Sequence, residues 1–180
     1  MPLKIRLATV SDAAEMASLF HNTVKAVNSR DYLPSQIDVW AGESPDPEKW
    51  RYRLATRKTF VAELDGTVVG FAELGADGYI DALYVHARHQ RKGVASALMT
   101  RIEAEADLLG VRILSTDASI TAQAFFAKRG FETVQARDVE YRGVTFRNYK
   151  MRKVRGSNQT TRPGASHSAH QTSSGAGSRQ

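Results

Sequence analysis

The sequence contains no cysteine. That excludes a disulfide framework, a thiolate-held metal or iron–sulfur cluster, and a cysteine nucleophile. Long apolar runs are also missing. Nothing approaches the roughly 18 consecutive apolar residues of a membrane-spanning helix, and residues 1–10 hold no apolar signal-peptide core. These absences lead to the expectation of a cytoplasmic protein with no membrane partner. Excess charge of one sign is modest: the net value is +6, and three of the 25 lysines and arginines (Arg155, Arg162 and Arg179) lie in residues 154–180, which carry no acid. Half the excess therefore belongs to that terminal segment. The rest of the chain lacks the dense basic stripe of a dedicated nucleic-acid binder, so no nucleic-acid partner is expected.

What is present is ordinary for one globular domain: 42% hydrophobic and 24% charged residues in 180. Residues 1–153 form the expected domain. Residues 154–180 are built from Gly, Ser, Thr, Gln, Ala and His, and bury too little apolar surface to offset their ordering entropy, so they read as a disordered tail. His167 and His170 in that tail read as solvent-exposed, and no metal site is expected.

Within residues 1–153 the patterns alternate. Residues 3–7 alternate like a strand. Ser11 is positioned to cap a helix whose stripe is Met16, Leu19, Phe20, Val24 and Val27. Residues 28–50 are irregular, with short helices expected near 35–41 and 47–55. Asp65-Gly66 between two apolar runs, 59–64 and 67–74, is a strong hairpin signal, and a third strand at 79–85 completes an antiparallel meander. A helix follows over about 93–109, then a strand at 111–116 and a helix at 121–129 that stops at Gly130. Two strands, 132–141 and 144–153, turn at Arg142-Gly143. The fold class is α/β: a mixed central sheet, part antiparallel and part parallel, flanked by about four helices.

One segment carries chemistry. Residues 83–98 run from a strand through a basic loop into a helix N-terminus. The first N–H groups of a helix lack intrahelical partners, and the helix dipole adds positive charge there. Arg88, Arg91 and Lys92 add formal charge, and Gly93 lets an anion approach the backbone. A pyrophosphate suits such a cradle.

The pattern Gln90-x-x-Gly93-x-Ala95, set between a strand and an amphipathic helix, resembles the Arg/Gln-x-x-Gly-x-Gly/Ala signature of the GNAT (GCN5-related) N-acetyltransferase superfamily. Residues 122–131 resemble the family's "AxxFYxxxGF" segment, and the order of elements over residues 1–153 is similar to the family fold. The resemblance implies a sheet splayed at the cofactor site. It implies acetyl-CoA as acyl donor, with Leu83, Tyr84 and Val85 bordering the thioester and pantetheine arm. Gln90, Arg91, Lys92, Gly93, Val94, Ala95 and Ser96 then hold the pyrophosphate, and Phe126 lines the same site. The chain departs from the family at Phe126, where many members hold a tyrosine that protonates the leaving thiolate. Tyr84 and Tyr32 are the candidate substitutes.

For the base that takes the amine's proton the candidates are Asp81, which strand alternation places on the face of Leu83, Glu73 and Asp117, and Asp81 is preferred because the resemblance implies that the central strand borders the acetyl group. His86 and His89 can titrate near neutrality, and His89 reads as a contact of the phosphate loop. The resemblance places the acceptor pocket at residues 28–50, where Asp31, Tyr32 and Trp40 supply an acid and two aromatics. The expected activity is acetyl transfer to a primary amine of a small molecule by direct attack. The rival readings are a non-catalytic acyl-CoA-binding module and a nucleic-acid binder. A homodimer is compatible with the first reading, although no residue specifies one.

Overall fold

The structure, a computed structural model, describes residues 2–156. The segment expected to be a disordered tail, with His167 and His170, lies outside the described residues except for its first three positions.

The chain order is β1 (Lys4–Leu7), α1 (Ala13–Ala26), α2 (Pro34–Ala41), α3 (Pro47–Thr56), β2 (Lys58–Leu64), β3 (Thr67–Leu74), β4 (Ile80–Val85), α4 (Val94–Leu108), β5 (Ile113–Ser119), α5 (Ile120–Lys128), β6 (Glu132–Tyr141) and β7 (Val144–Val154). Five helices thus stand where about four were expected. The strands form two sheets, ordered β1-β2-β3-β4 and β5-β7-β6, and every ladder is antiparallel. The expected parallel pair, β4 with β5, reduces to a single parallel bridge between Tyr79 and Ser115. The Ser115 amide donates to the Gly78 carbonyl (3.1 Å) and the Thr116 hydroxyl to the Ile80 carbonyl (2.8 Å), and beyond these bonds the strands part. Gly78 makes the join possible. Its φ of +85° favours glycine, and a Cβ there would overlap the Ile113 carbonyl.

Two apolar layers sandwich the first sheet. On one face Phe60, Leu74, Ile80 and Val85 pack against Leu98, Met99 and Ile102 of α4. On the other, Val61, Phe71 and Ala82 pack against Met16, Phe20 and Val24 of α1 and Trp50 of α3. Each such fully buried side chain contributes roughly 1.5–3 kcal/mol. Gly70 sets how closely α4 approaches β3, because a Cβ there would lie 2.9 Å from Val94 Cγ1 and 3.2 Å from Leu98 Cδ1.

The start of α1 corrects the capping expectation. Ser11 does not cap the helix. A 3-10 turn over Val10–Asp12 precedes it, capped at Thr9, and Asp12 accepts from the Thr9 amide (2.7 Å). Arg6 donates to both Asp12 oxygens at 2.8 Å and to Glu63 at 2.7 Å, tying β1 to α1 and β2.

Candidate active site

The parting of β4 and β5 opens a cleft of about 440 Å³. One wall is β4 with Leu83, Tyr84 and Val85. The other is β5 and α5, including Ala122, Phe125 and Phe126, and the floor of one end is the N-terminus of α4. The helix begins at Val94 behind Gly93, which is left-handed (φ +82°), and among the described residues no side chain caps it. Arg91 is also left-handed (φ +60°). A Cβ at Gly93 would meet nothing within 4 Å, so the space before the first turn is open.

The loop around this opening is fixed from within. Gln90 Nε2 donates to the Val85 carbonyl (2.5 Å), so its side chain braces the loop on the strand. His86 Nδ1 accepts from the Arg88 amide (3.2 Å). Burial, then the charge of Lys92, holds the His89 imidazole below its ordinary value. Arg88, Arg91 and Lys92 are exposed, and among the described residues none pairs with a carboxylate. Lys92 does not line the cleft, whereas Gln90, Arg91, Gly93, Val94, Ala95 and Ser96 do. Uncapped N–H groups, an open approach and unpaired cations together fit a phosphate-bearing ligand.

A second cavity of about 500 Å³ shares Trp40, Asp81, Ala82, Tyr84, Asp117 and Ser119 with the first. Its other walls are Phe20, Tyr32, Lys49, Trp50 and Arg53, with Val139, Tyr141, Phe146 and Asn148 from the β6–β7 hairpin. The ring of Tyr84 lies edge-on to Phe20 with centroids 4.9 Å apart, and Trp40 is edge-on to Tyr32 at 5.2 Å. The Tyr32 hydroxyl accepts from the Ile120 amide (2.8 Å) and donates to the Arg147 carbonyl (3.3 Å). Its proton is thereby committed, and the ring locks α5 to the acceptor side. Burial pushes the Tyr84 phenol up from its usual value.

The acids at the junction of the two cavities differ in their company. Glu73 is fully buried and accepts from Arg53 Nε (2.9 Å). Asp81 is bound by Arg53 and by Arg57 (2.9 Å). Asp81 also corrects an expectation about its face. The β3–β4 register pairs Glu73 with Ala82 but Leu74 with Ile80, leaving Asp81 bulged and unpaired. The bulge turns it toward Arg53 of α3, away from the Leu83 face that strand alternation implies. Asp117 receives the Tyr79 hydroxyl (3.0 Å) and Arg137 (2.7 Å) on Oδ2, while its buried Oδ1 has no partner.

Of the residues expected to meet the acceptor, Tyr32 and Trp40 line the second cavity. Asp31 does not. It is exposed and accepts from the Thr121 hydroxyl (2.8 Å) at the start of α5. Sequence reasoning missed the hairpin wall of Tyr141 and Phe146 and the α3 wall of Lys49 and Arg53. The four-residue spacing of Lys49 and Arg53 on α3 was a signal that those two cations share one face. Among the described residues no cluster of His, Asp or Glu is arranged to hold a metal, and no helix is long and apolar enough to cross a membrane.

A family model described as an acetyltransferase (GNAT) domain matches residues 28–153. The chain belongs to the GNAT acetyltransferase family. As a family member it is an acyltransferase. It is 37% identical over 151 residues to the uncharacterised N-acetyltransferase YafP of Escherichia coli K12, covering 83% of this chain and 95% of that protein. A GCN5-related N-acetyltransferase structure from Rhodopseudomonas palustris matches at 34% identity and TM-score 0.81, covering 86% of this chain and 96% of that one. The fold is also shared with the Salmonella typhimurium acetyltransferase yncA, solved with acetyl-CoA. The identity there is 19% and the TM-score 0.67, with 92% of this chain and all of that one covered. Gln90, Gly93 and Ala95, of the segment that resembles the family signature, and Phe126 of α5 line the same cleft.

Proposed function

We propose that this chain transfers the acetyl group of acetyl-CoA to a primary amine by direct attack in a ternary complex. The observation that carries the reading is the cleft between β4 and β5, which ends at the Gly93-capped helix with Arg88, Arg91 and Lys92 unpaired around it. The yncA protein of similar fold was solved with acetyl-CoA, and the donor set here suits that ligand's pyrophosphate.

In this reading the donor supplies a thioester, and the protein's part is placement and proton handling. The amine nitrogen forms a bond to the acetyl carbon, the carbon–sulfur bond breaks, and the amine loses a proton. Asp117 is assigned as the acceptor of that proton, because it lines both cavities and its Oδ1 has no hydrogen-bond partner among the described residues. Asp81 is instead occupied by two guanidinium groups, those of Arg53 and Arg57. Phe126 has no proton to give. Tyr84, pushed above its usual value of about 10, does not protonate a thiolate whose conjugate acid lies near 8.5, and serves instead as a hydrogen-bond donor. The sulfur therefore leaves as thiolate and takes its proton from solvent.

The test is acetyl-CoA binding by calorimetry, followed by thiol release with a panel of primary amines. Asp117→Asn should lower kcat at least about 100-fold with acetyl-CoA affinity preserved, whereas Asp81→Asn should not. Binding without turnover on any amine would instead favour the acyl-CoA-binding module that Phe126 points to. No binding would overturn both.

A further inference from the structure

The charges around the acceptor cavity do not balance, and the excess is local. Glu73 and Asp81 are matched by Arg53 and Arg57, and Asp117 by Arg137. Lys49 is left over. Its ammonium stands 4.9 Å from the centroid of Phe20 and 5.7 Å from that of Trp50, both cavity walls, and among the described residues it contacts no carboxylate. Arg142, at the tip of the β6–β7 hairpin, is likewise without a carboxylate and lies against the ring of Tyr141, another wall residue. Lys49 is held below its ordinary value first by partial desolvation, then by Arg53; Asp46 acts the other way, and Arg142 adds to the lowering. A cation at a cavity wall with no carboxylate in contact is stabilised when an anion joins it.

Between these cations and Asp117 the walls are apolar and aromatic: Phe20, Trp40, Tyr84 and Phe146. A ligand spanning the cavity meets a cation, then ring faces and edges, then carboxylate. Resting on the acetyl-transfer reading, we propose that the acceptor is a primary amine with an apolar or aromatic body and a carboxylate, of the amino-acid class, and that Lys49 and Arg142 bind the carboxylate while the amine faces Asp117. This also sets specificity. An amide or a decarboxylated amine of the same body leaves the two cations unmatched.

The experiment measures thiol release from acetyl-CoA with matched triplets: an aromatic or aliphatic amino acid, its carboxamide, and its decarboxylated amine. L-Phenylalanine, L-tryptophan, L-methionine and L-leucine head the four series. The expected result is a kcat/KM ratio of acid to amide above about tenfold in at least one series, arising mainly in KM. Lys49→Met should bring that ratio toward one, and Lys49→Arg should restore it. Arg142→Gln should lower it partly. Equal or better use of the uncharged members, or a ratio unaffected by Lys49→Met, overturns the assignment. So does a complete lack of turnover across the panel while acetyl-CoA still binds, and in that case the cofactor reading survives. Failure of acetyl-CoA to bind is the separate result that removes the reading beneath it.

Discussion

Gly93 separates two effects that a single substitution would confuse. Its φ of +82° means that any L side chain is strained there, by about 1–2 kcal/mol. Its surroundings are empty to 4 Å, so an alanine Cβ adds no clash in the free protein. Gly93→Ala should therefore lower the melting temperature by roughly 2–8 °C and weaken acetyl-CoA binding only to the extent that the methyl crowds the phosphate. Gly93→Glu has the same backbone strain and adds a negative charge. At about 5 Å from a phosphate, with an effective dielectric near 20, that charge costs about 3 kcal/mol. The expected outcome is acetyl-CoA affinity more than about 100-fold below that of Gly93→Ala, at a similar melting temperature. Calorimetry on the two variants, read beside thermal melts and repeated at high salt, makes the comparison. Salt should narrow the gap, since the loop is exposed and its charges are screened. If the glutamate variant binds within threefold of the alanine variant, the pyrophosphate does not sit at the start of α4, and the reasoning from helix N-terminus to cofactor fails.

Three further outcomes follow from the packing. Arg53→Met leaves Glu73 fully buried without its partner and should cost about 3–5 kcal/mol in urea unfolding, while Arg53→Met with Glu73→Leu should recover at least half of that. Asp12 is held at about 2 against an ordinary 3.8, first by its bonds to Arg6, so its stabilisation of about 2 kcal/mol is fully present above pH 3.8. That stabilisation is lost as pH falls toward 2, and Asp12→Asn should flatten the acid limb of the stability profile over that window. Gly78→Ala should cost at least about 2 kcal/mol and disturb the cleft, because the new methyl overlaps the Ile113 carbonyl at the only bridge between β4 and β5 among the described residues.

Local signals carried most of the fold. The Asp65-Gly66 hairpin, the stripe of α4 and the stop at Gly130 need only neighbouring residues to be understood, and the observed elements fall within a few positions of them. The basic loop before α4 was legible for the same reason, since Gly93, the basic residues and the helix they precede are contiguous. Asp81 was not. Its orientation depends on a register slip against β3, which pairs residues across the sheet and leaves no mark in the period-2 pattern of β4 alone. The acceptor cavity was half legible. Tyr32 and Trp40 announced themselves as aromatics in an irregular segment, but Tyr141 and Phe146 arrive from a hairpin more than a hundred residues downstream. Asp31, chosen for its charge, turned out to bind Thr121 at the protein surface.

The bulge at Asp81 also changes which residues of β4 share a face. An unbroken β4 would send Ile80 and Ala82 to one face and Asp81 and Leu83 to the other. Instead Ile80, Leu83 and Val85 belong to the α4 side, and Ala82 and Tyr84 to the α1 side. The slip therefore moves Ile80 into the layer of Leu83 and Val85, and Asp81 to the side of Ala82 and Tyr84. The same slip sends the Asp81 carboxylate to Arg53 of α3 and to Arg57 just past its end. There it anchors Arg53 and Arg57 and so fixes the helix that carries Lys49. Asp81 is thus a positioning residue in this account, and Asp81→Asn should shift the KM for the acceptor rather than kcat. A loss confined to kcat, with a changed pH–rate profile, would return the proton-accepting role to Asp81 and take it from Asp117.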